Sequence, residues 1–260
     1  MFAASDAYER FMGRWSRKLA PAFVAFASVG GARSVLDVGC GTGALALTIA
    51  QTTPSARVTG VDPSRVYVDA AQTQAAGDRV RFVVGNAQAL ELASAYFDST
   101  LSMLAMNFFP DPDAALREMT RVTRPDGVVA AAVWDYGEGM EMLRVFWDEA
   151  VALDPEVAAR DERHMKLSRQ GELGALWRAN ALDRVEEQPL VIELAFASFD
   201  DYWSPFLGGQ GPAGAYVTSL AESPRAMLGA RLRTRLLGSR ADGPFTLHAR
   251  AWAVKGVVLE

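Results

Sequence analysis

From residue 34 to residue 134, short apolar runs alternate with longer segments whose apolar positions recur near helical spacing. The runs Ser34–Val38, Arg57–Val61, Val80–Val84, Phe97–Met106 and Val128–Trp134 have the length and composition of buried strands. Between them, Ala44–Gln51, a segment from Pro63 to about Ala76, and Ala114–Val122 read as helices. Pro63 and Ser64 mark a helix start, Gly77-Asp78 a stop, and Asp111 or Asp113 a cap for the third helix. Arg124-Pro125-Asp126-Gly127 reads as a turn into the fifth strand. Strands alternating with helices in this way predict a largely parallel sheet with helices on both faces.

The flanking segments are less regular. Ala7–Ser28 predicts a helix, or a helix pair interrupted at Pro21, with Tyr8, Phe11, Met12, Trp15 and Leu19 on one apolar face. Gly137 and Gly139 break the chain after Trp134. Met140–Leu153, Val157–Leu167, Gln170–Asn180, Phe199–Phe206 and Ala213–Leu237 then read as helical, with a flexible loop at Gly208–Pro212. Val185–Phe196 reads as a strand, and Phe245–Val258 as an antiparallel strand that closes the sheet. The expectation is an α/β fold of seven strands, parallel except at the end.

Composition then excludes several classes of function. The 260 residues suit one elaborated α/β domain. A formal net charge of −5 argues against a broad phosphate-binding surface, so nucleic acid is not an expected partner. No apolar run reaches the length of a membrane span, and residues 1–6 lack the basic region and apolar core of a secretory signal. Cys40 is the only cysteine, which excludes an internal disulfide and makes a cytoplasmic location the expectation. Two histidines and one cysteine without close spacing make no metal site.

The candidate chemistry concentrates where the first predicted strand ends. Asp37-Val38-Gly39-Cys40-Gly41-Thr42-Gly43 sets three glycines at alternate positions between strand and helix. There the backbone must turn sharply and a ligand must approach without meeting a Cβ atom. Asp62 tips the second strand, where a carboxylate accepts hydrogen bonds from ribose hydroxyls. Two nucleoside ligands satisfy this unit. Gly39-x-Gly41-x-x-Ala44 fits the relaxed dinucleotide fingerprint and so an NAD(P)-dependent oxidoreductase. Asp37, two residues ahead of the first glycine, favours the other ligand. A pyrophosphate gains nothing from a carboxylate there, whereas S-adenosylmethionine carries an ammonium and a sulfonium.

Here the sequence resembles the class I S-adenosylmethionine-dependent methyltransferases, whose first motif stands as Asp37 to Gly43. Glu118, Arg121-Val122 and Arg124-Pro125-Asp126-Gly127 resemble the same family, where that turn is structural. Tyr8 to Ser16 resembles the N-terminal stretch of type 11-like methyltransferases similar to the ubiquinone and menaquinone C-methylating enzymes. The resemblance covers about residues 34–135 and implies a Rossmann-like sheet with S-adenosyl-L-methionine as cofactor. It implies that Asp37, Gly39, Cys40, Gly41 and Gly43 hold the methionine end and Asp62 the ribose. Pro63 and Ser64, with Asn86, Ala87 and Gln88, would lie at the adenine, and Met103 and Leu104 would face the methionine part. Asn86 departs from the family's commoner acid but keeps a carbonyl acceptor. Tyr8 and Trp15 are the candidates for aromatic closure of the pocket.

The acceptor side is expected beyond the fourth strand. Asn107, Phe108, Trp134, Tyr136, Trp203 and Gln210 are the candidate contacts, with Asp135 a further one, because methyl transfer needs a dry wall behind the methyl group. His164 is the candidate general base, ahead of His248. The expected layout is N-terminal lid helices over 1–30, a cofactor-binding core over 31–136, a helical acceptor cap over 137–183, and strands and helix completing the sheet over 184–260. The expected acceptor is a small aromatic or otherwise apolar metabolite. Whether oxygen, nitrogen or carbon is methylated, and whether the protein is a homodimer, stay open. A non-catalytic S-adenosylmethionine-binding protein is the alternative from another class.

Overall fold

Seven strands form one sheet in the order β3-β2-β1-β4-β5-β7-β6, in a computed structural model that describes residues 7–259. The reading of residues 1–6 lies outside the described residues. β1 (Ser34–Val38), β2 (Arg57–Asp62), β3 (Val80–Val84), β4 (Phe97–Met103) and β5 (Thr123–Trp134) run parallel. β6 (Asp183–Phe196) and β7 (Phe245–Val257) are a long antiparallel pair, and β7 enters between β5 and β6. Pro189 sits on β6, which is the edge strand, where a missing N–H costs no ladder bond.

The chain order reverses between β1 and β4: β2 and β3 extend the sheet to one side before β4 returns to the other flank of β1. That switch opens a crevice at the carboxyl ends of the strands, where open α/β sheets bind ligands. Helices α2 (Ala44–Thr52), α3 (Arg65–Gln74) and α4 (Pro112–Val122) connect these strands. Asp111 is the cap of α4, accepting from the Ala114 N–H at 2.9 Å.

Several elements depart from the expectation. A π-helical turn, Glu9–Gly13, leads into α1 (Arg14–Ala27), and Pro21 lies inside α1 without interrupting it. Burial of Trp15, Leu19, Phe23 and Phe26 holds the helix although Pro21 supplies no N–H. The turn 124–127 is a bulge within β5 rather than a lead-in. Pairing steps from Phe97 opposite Thr123 to Ser99 opposite Val128. A Cβ on Gly127 would stand 2.9 Å from the Asp98 carbonyl, so this bulge needs glycine. Residues 157–167 form no α-helix. Asp154 and Asp161 each cap a separate 3₁₀ turn, Pro155–Arg160 and Glu162–His164, by accepting from the next turn's N–H groups.

After β5 come α5 (Glu141–Leu153), α6 (Glu172–Ala179), α7 (Phe199–Trp203), α8 (Gly211–Ser219) and α9 (Glu222–Leu237). The single helix expected over 213–237 is thus two, and the break at Leu220-Ala221 lets Leu228 and Leu232 turn into the core. Gly208–Pro212 is not a free loop: Ser204–Gly208 is a 3₁₀ turn, and Pro212 occupies the first turn of α8. An aromatic cluster of Phe146, Trp147, Tyr202, Phe206, Tyr216 and Phe196 ties α5, α7 and α8 to β6. Among the described residues no helix is long and apolar enough to cross a membrane, and no cluster of metal-ligating side chains occurs.

Candidate active site

A cavity of about 440 Å³ opens over the switch point. Its floor is the turn after β1. Gly39 and Gly43 have left-handed φ of +74° and +92°, and a Cβ on either would collide with Ala105 or Phe82. Those two glycines serve packing. Gly41, at φ +51°, has open space where its Cβ would stand, so it is the one against which a ligand can lie. The Gly39 and Cys40 N–H groups donate to the Val61 carbonyl, which fixes the turn to the end of β2.

Asp62 sits where β2 meets this turn. Gly41 N–H donates to its Oδ2 at 2.9 Å and Ser64 N–H to its Oδ1 at 2.8 Å. Burial pushes its pKa up, and these two N–H donors pull it back. Asp37 is 1% exposed, its Oδ2 accepting from Ala46 N–H at 3.1 Å at the start of α2. Burial pushes this carboxyl up to about 7 against that bond. With Cys40, Met103, Leu104 and Ser16 it lines a small hollow of about 50 Å³, which shares Tyr8, Gly39, Gly41 and Leu104 with the main cavity. Burial raises the Cys40 thiol pKa, so it is neutral.

On the far side of Asp62 the cavity is lined by Pro63, Asn86, Ala87 and Gln88. Asn86 Oδ1 accepts from Gln88 N–H at 3.0 Å, so the carbonyl expected to face a ligand closes its own turn. Ser64 lies outside the lining; its hydroxyl caps α3 by accepting from Tyr67 N–H. Tyr67, which the sequence reading passed over, lines the cavity instead, its ring 5.6 Å from that of Tyr8. Tyr8 closes this end, and Glu9 beside it hydrogen-bonds the Thr42 hydroxyl and pairs with Arg17. Trp15 is not part of the closure: it is buried against Phe196 of β6, beneath the Arg14 guanidinium. Seven residues beyond Tyr8, across the wider π-helical turn Glu9–Gly13, the face has rotated away from the ligand side.

The other half of the cavity is apolar. Phe108, Tyr136 and Gln210 line it, together with Phe11, Met12, Phe109, Leu143 and Met165. Trp134 ends β5 opposite Ala251 inside the core, and Trp203 stacks on Phe199 and lies over Gly229; neither reaches the cavity. Asn107 is buried beside the Tyr136 phenol but outside the lining, and its amide makes no well-formed hydrogen bond. His164 is exposed and opens on a separate groove with Arg163, Arg169 and an Asp135 carboxylate already paired to Arg250 at 2.6 Å. His248 is exposed beside Glu141. No histidine reaches the cavity; on its apolar side the carboxyl that does is Glu162, within the stretch 157–167 expected to be helical. No spacing signal marks it, because a 3₁₀ turn capped by Asp161 aims it inward.

A methyltransferase-domain family model matches residues 35–127. Malonyl-[acyl-carrier protein] O-methyltransferase of Geobacter sulfurreducens is 34% identical, over 56% of this chain and 54% of its own length. Demethylmenaquinone methyltransferase of Roseiflexus castenholzii is 37% identical, over 42% of this chain and 46% of its own. The chain thus spans about half the length of the curated relatives it matches. Among solved structures, a proposed type II methyltransferase from Anaeromyxobacter dehalogenans superposes with a TM-score of 0.65 at 26% identity, covering 92% of this chain and 96% of that one.

Proposed function

Since the chain carries a domain of the class I S-adenosylmethionine-dependent methyltransferase family, we propose that it transfers the methyl group of S-adenosyl-L-methionine to a small aromatic or apolar metabolite. The observation that carries this is a single cavity joining two chemistries. One end has Gly41, open to close approach, and the Asp62 carboxylate; the other is walled by Phe11, Phe108, Phe109 and Met165. Asp62 would take the ribose, Gly41 the close backbone contact, and Ala87 with Pro63 the faces of the adenine. The hollow beside Asp37 is polar and carries a carboxyl that an α-ammonium would hold ionised.

The bound cofactor supplies a methyl carbon already activated by positive sulfur. The protein's own part is to hold, orient and dry the acceptor. Phe108 is 57% exposed at the cavity mouth and Tyr8 is carried on the N-terminal turn, so both are placed to seal against water. Positioning of this kind can supply on the order of 7–11 kcal/mol of a barrier. Residues 137–183 act in this reading as the acceptor cap through Leu143, Glu162 and Met165.

Calorimetric titration with S-adenosylmethionine, S-adenosylhomocysteine and NAD tests the proposal. Micromolar binding of the first two and none of NAD is expected. Binding of NAD alone would return the chain to the oxidoreductase reading, and cofactor binding without turnover of any acceptor would favour a non-catalytic binding protein.

A further inference from the structure

We propose that Glu162 accepts the proton of a hydroxyl group on the methyl acceptor, so that methylation falls on an oxygen carried by an apolar, ring-sized skeleton. The inference rests on the donor reading above. Glu162 is 5% exposed yet lines the same cavity as Gly41 and Asp62. Its Oε2 accepts from the Trp147 indole N–H. Its Oε1 has no hydrogen-bond partner among the described residues and lies 3.8 Å from where a Cβ on Gly211, itself a lining residue, would stand. The cavity has one other carboxylate, Asp62, which stands at the Gly41 end, where each of its oxygens holds one backbone N–H and its remaining lone pairs are assigned above to the ribose. Glu162 is therefore the carboxyl on the apolar side of the cavity, with one oxygen that holds no hydrogen bond among the described residues.

The surroundings favour a base. Trp147 and Arg144 face it from α5, Asp161 from the preceding residue, and Tyr136 from just after β5. Arg144 is itself held by Asp161, at 3.1 Å through one of its two bonds. Burial pushes the Glu162 carboxyl up to about 7, while the Trp147 bond and Arg144 pull it down. A carboxyl poised there both takes and releases a proton near neutrality.

Three acceptor classes can be weighed. A carboxylate acceptor is already ionised and would be repelled by Glu162. An ammonium has no lone pair for the methyl carbon and would bring a second positive charge to the cationic donor. A hydroxyl gains from the base and adds no charge to an apolar pocket. In the step, the acceptor O–H bond breaks and its proton passes to Oε1. The oxygen lone pair forms the C–O bond to the methyl carbon, and the electron pair of the broken C–S bond stays on sulfur.

The experiment compares wild type, Glu162→Gln and Trp147→Phe. S-adenosylhomocysteine titration comes first; binding within about twofold of wild type in E162Q shows that the donor half is intact. A failure of wild type to bind would overturn the donor reading, and is seen in that titration alone. A ring-matched panel of phenols and anilines with S-adenosylmethionine then follows, read by product mass. Expected are methylated phenols, a rate that rises with pH through about 7, and a loss on the order of 10²–10³-fold with disappearance of that limb in E162Q. Trp147→Phe should shift the limb to higher pH, because the lost N–H had favoured the ionised carboxyl. Infrared titration of the S-adenosylhomocysteine complex should show a carboxyl band, absent in E162Q, that ionises in the same range. Methylation of anilines with phenols inert, no phenol turned over by a cofactor-binding protein, or an unchanged pH limb in E162Q would overturn the proposal.

Discussion

The two halves of the cavity are built by different means. The donor half is made of backbone and of carboxylates tied to backbone: Gly41 N–H and Ser64 N–H on Asp62, Ala46 N–H on Asp37, Gly39 and Cys40 N–H on Val61. Each of these contacts joins residues at strand ends and the turns that follow them. The acceptor half is made of side chains from distant segments, Phe11 before β1, Phe108 after β4, Tyr136 after β5, Leu143 on α5 and Pro212 on α8. A local turn imposes residue types at fixed spacing; a wall assembled from five segments does not. In the proposed reading, recognition of the donor is thus a property of one motif, and recognition of the acceptor a property of the whole fold.

The sharpest way to break this comparison is Asp62→Ala. It removes the proposed ribose partner and frees two N–H groups that shape the turn, so cofactor affinity should fall at least 100-fold in calorimetry. An effect under threefold would mean that the donor half does not centre on this carboxylate. Glu162→Gln should do the converse, with the large rate loss given above and nearly unchanged cofactor affinity.

Asp37→Asn separates function from stability. The folded chain holds the Asp37 proton up to about pH 7, whereas the unfolded chain releases it near 4. The folded state therefore loses stability as pH rises across that window, and the loss is complete above it. An asparagine carries no such loss. The variant should melt a few degrees above wild type at pH 8 and gain less at pH 5, while binding S-adenosylmethionine more weakly. Equal shifts at the two pH values in thermal melts would contradict the burial of an ionisable Asp37.

Smaller effects test the edges. Glu9→Gln loosens the contact of the N-terminal turn with Thr42 and Arg17 and should weaken cofactor binding by severalfold, chiefly through a faster off-rate in stopped-flow measurements. His164→Ala should leave turnover within twofold, because the side chain opens on a different groove. A large loss there would restore it as the base.

Legibility in the sequence follows the same division. The strand bounds of β1 and β3 and the cap of α4 were readable because an apolar run, a proline or an aspartate acts within a few residues. Gly39, Gly41, Asp62 and Leu104 could be placed at one cavity from the motif, since strand ends of a parallel sheet converge. Trp15, Trp134 and Trp203 could not be sorted from Phe108 and Tyr136, because an aromatic in the core and one at a cavity wall look alike in periodicity. Glu162 was hidden for the opposite reason. Its inward aim comes from Asp161 restarting the chain as a 3₁₀ turn, where a helical reading sends an acid to solvent. The division of 213–237 was also invisible, since each side of the break keeps helical spacing.

The most direct test of the account is a crystal structure of the protein with S-adenosylhomocysteine and a phenol in the cavity. The account predicts ribose hydroxyls on the Asp62 carboxylate, the amino group toward the hollow beside Asp37, and the phenol oxygen within hydrogen-bond distance of Glu162 Oε1. A ligand bound away from Asp62, or a phenol whose oxygen points from Glu162, would contradict it.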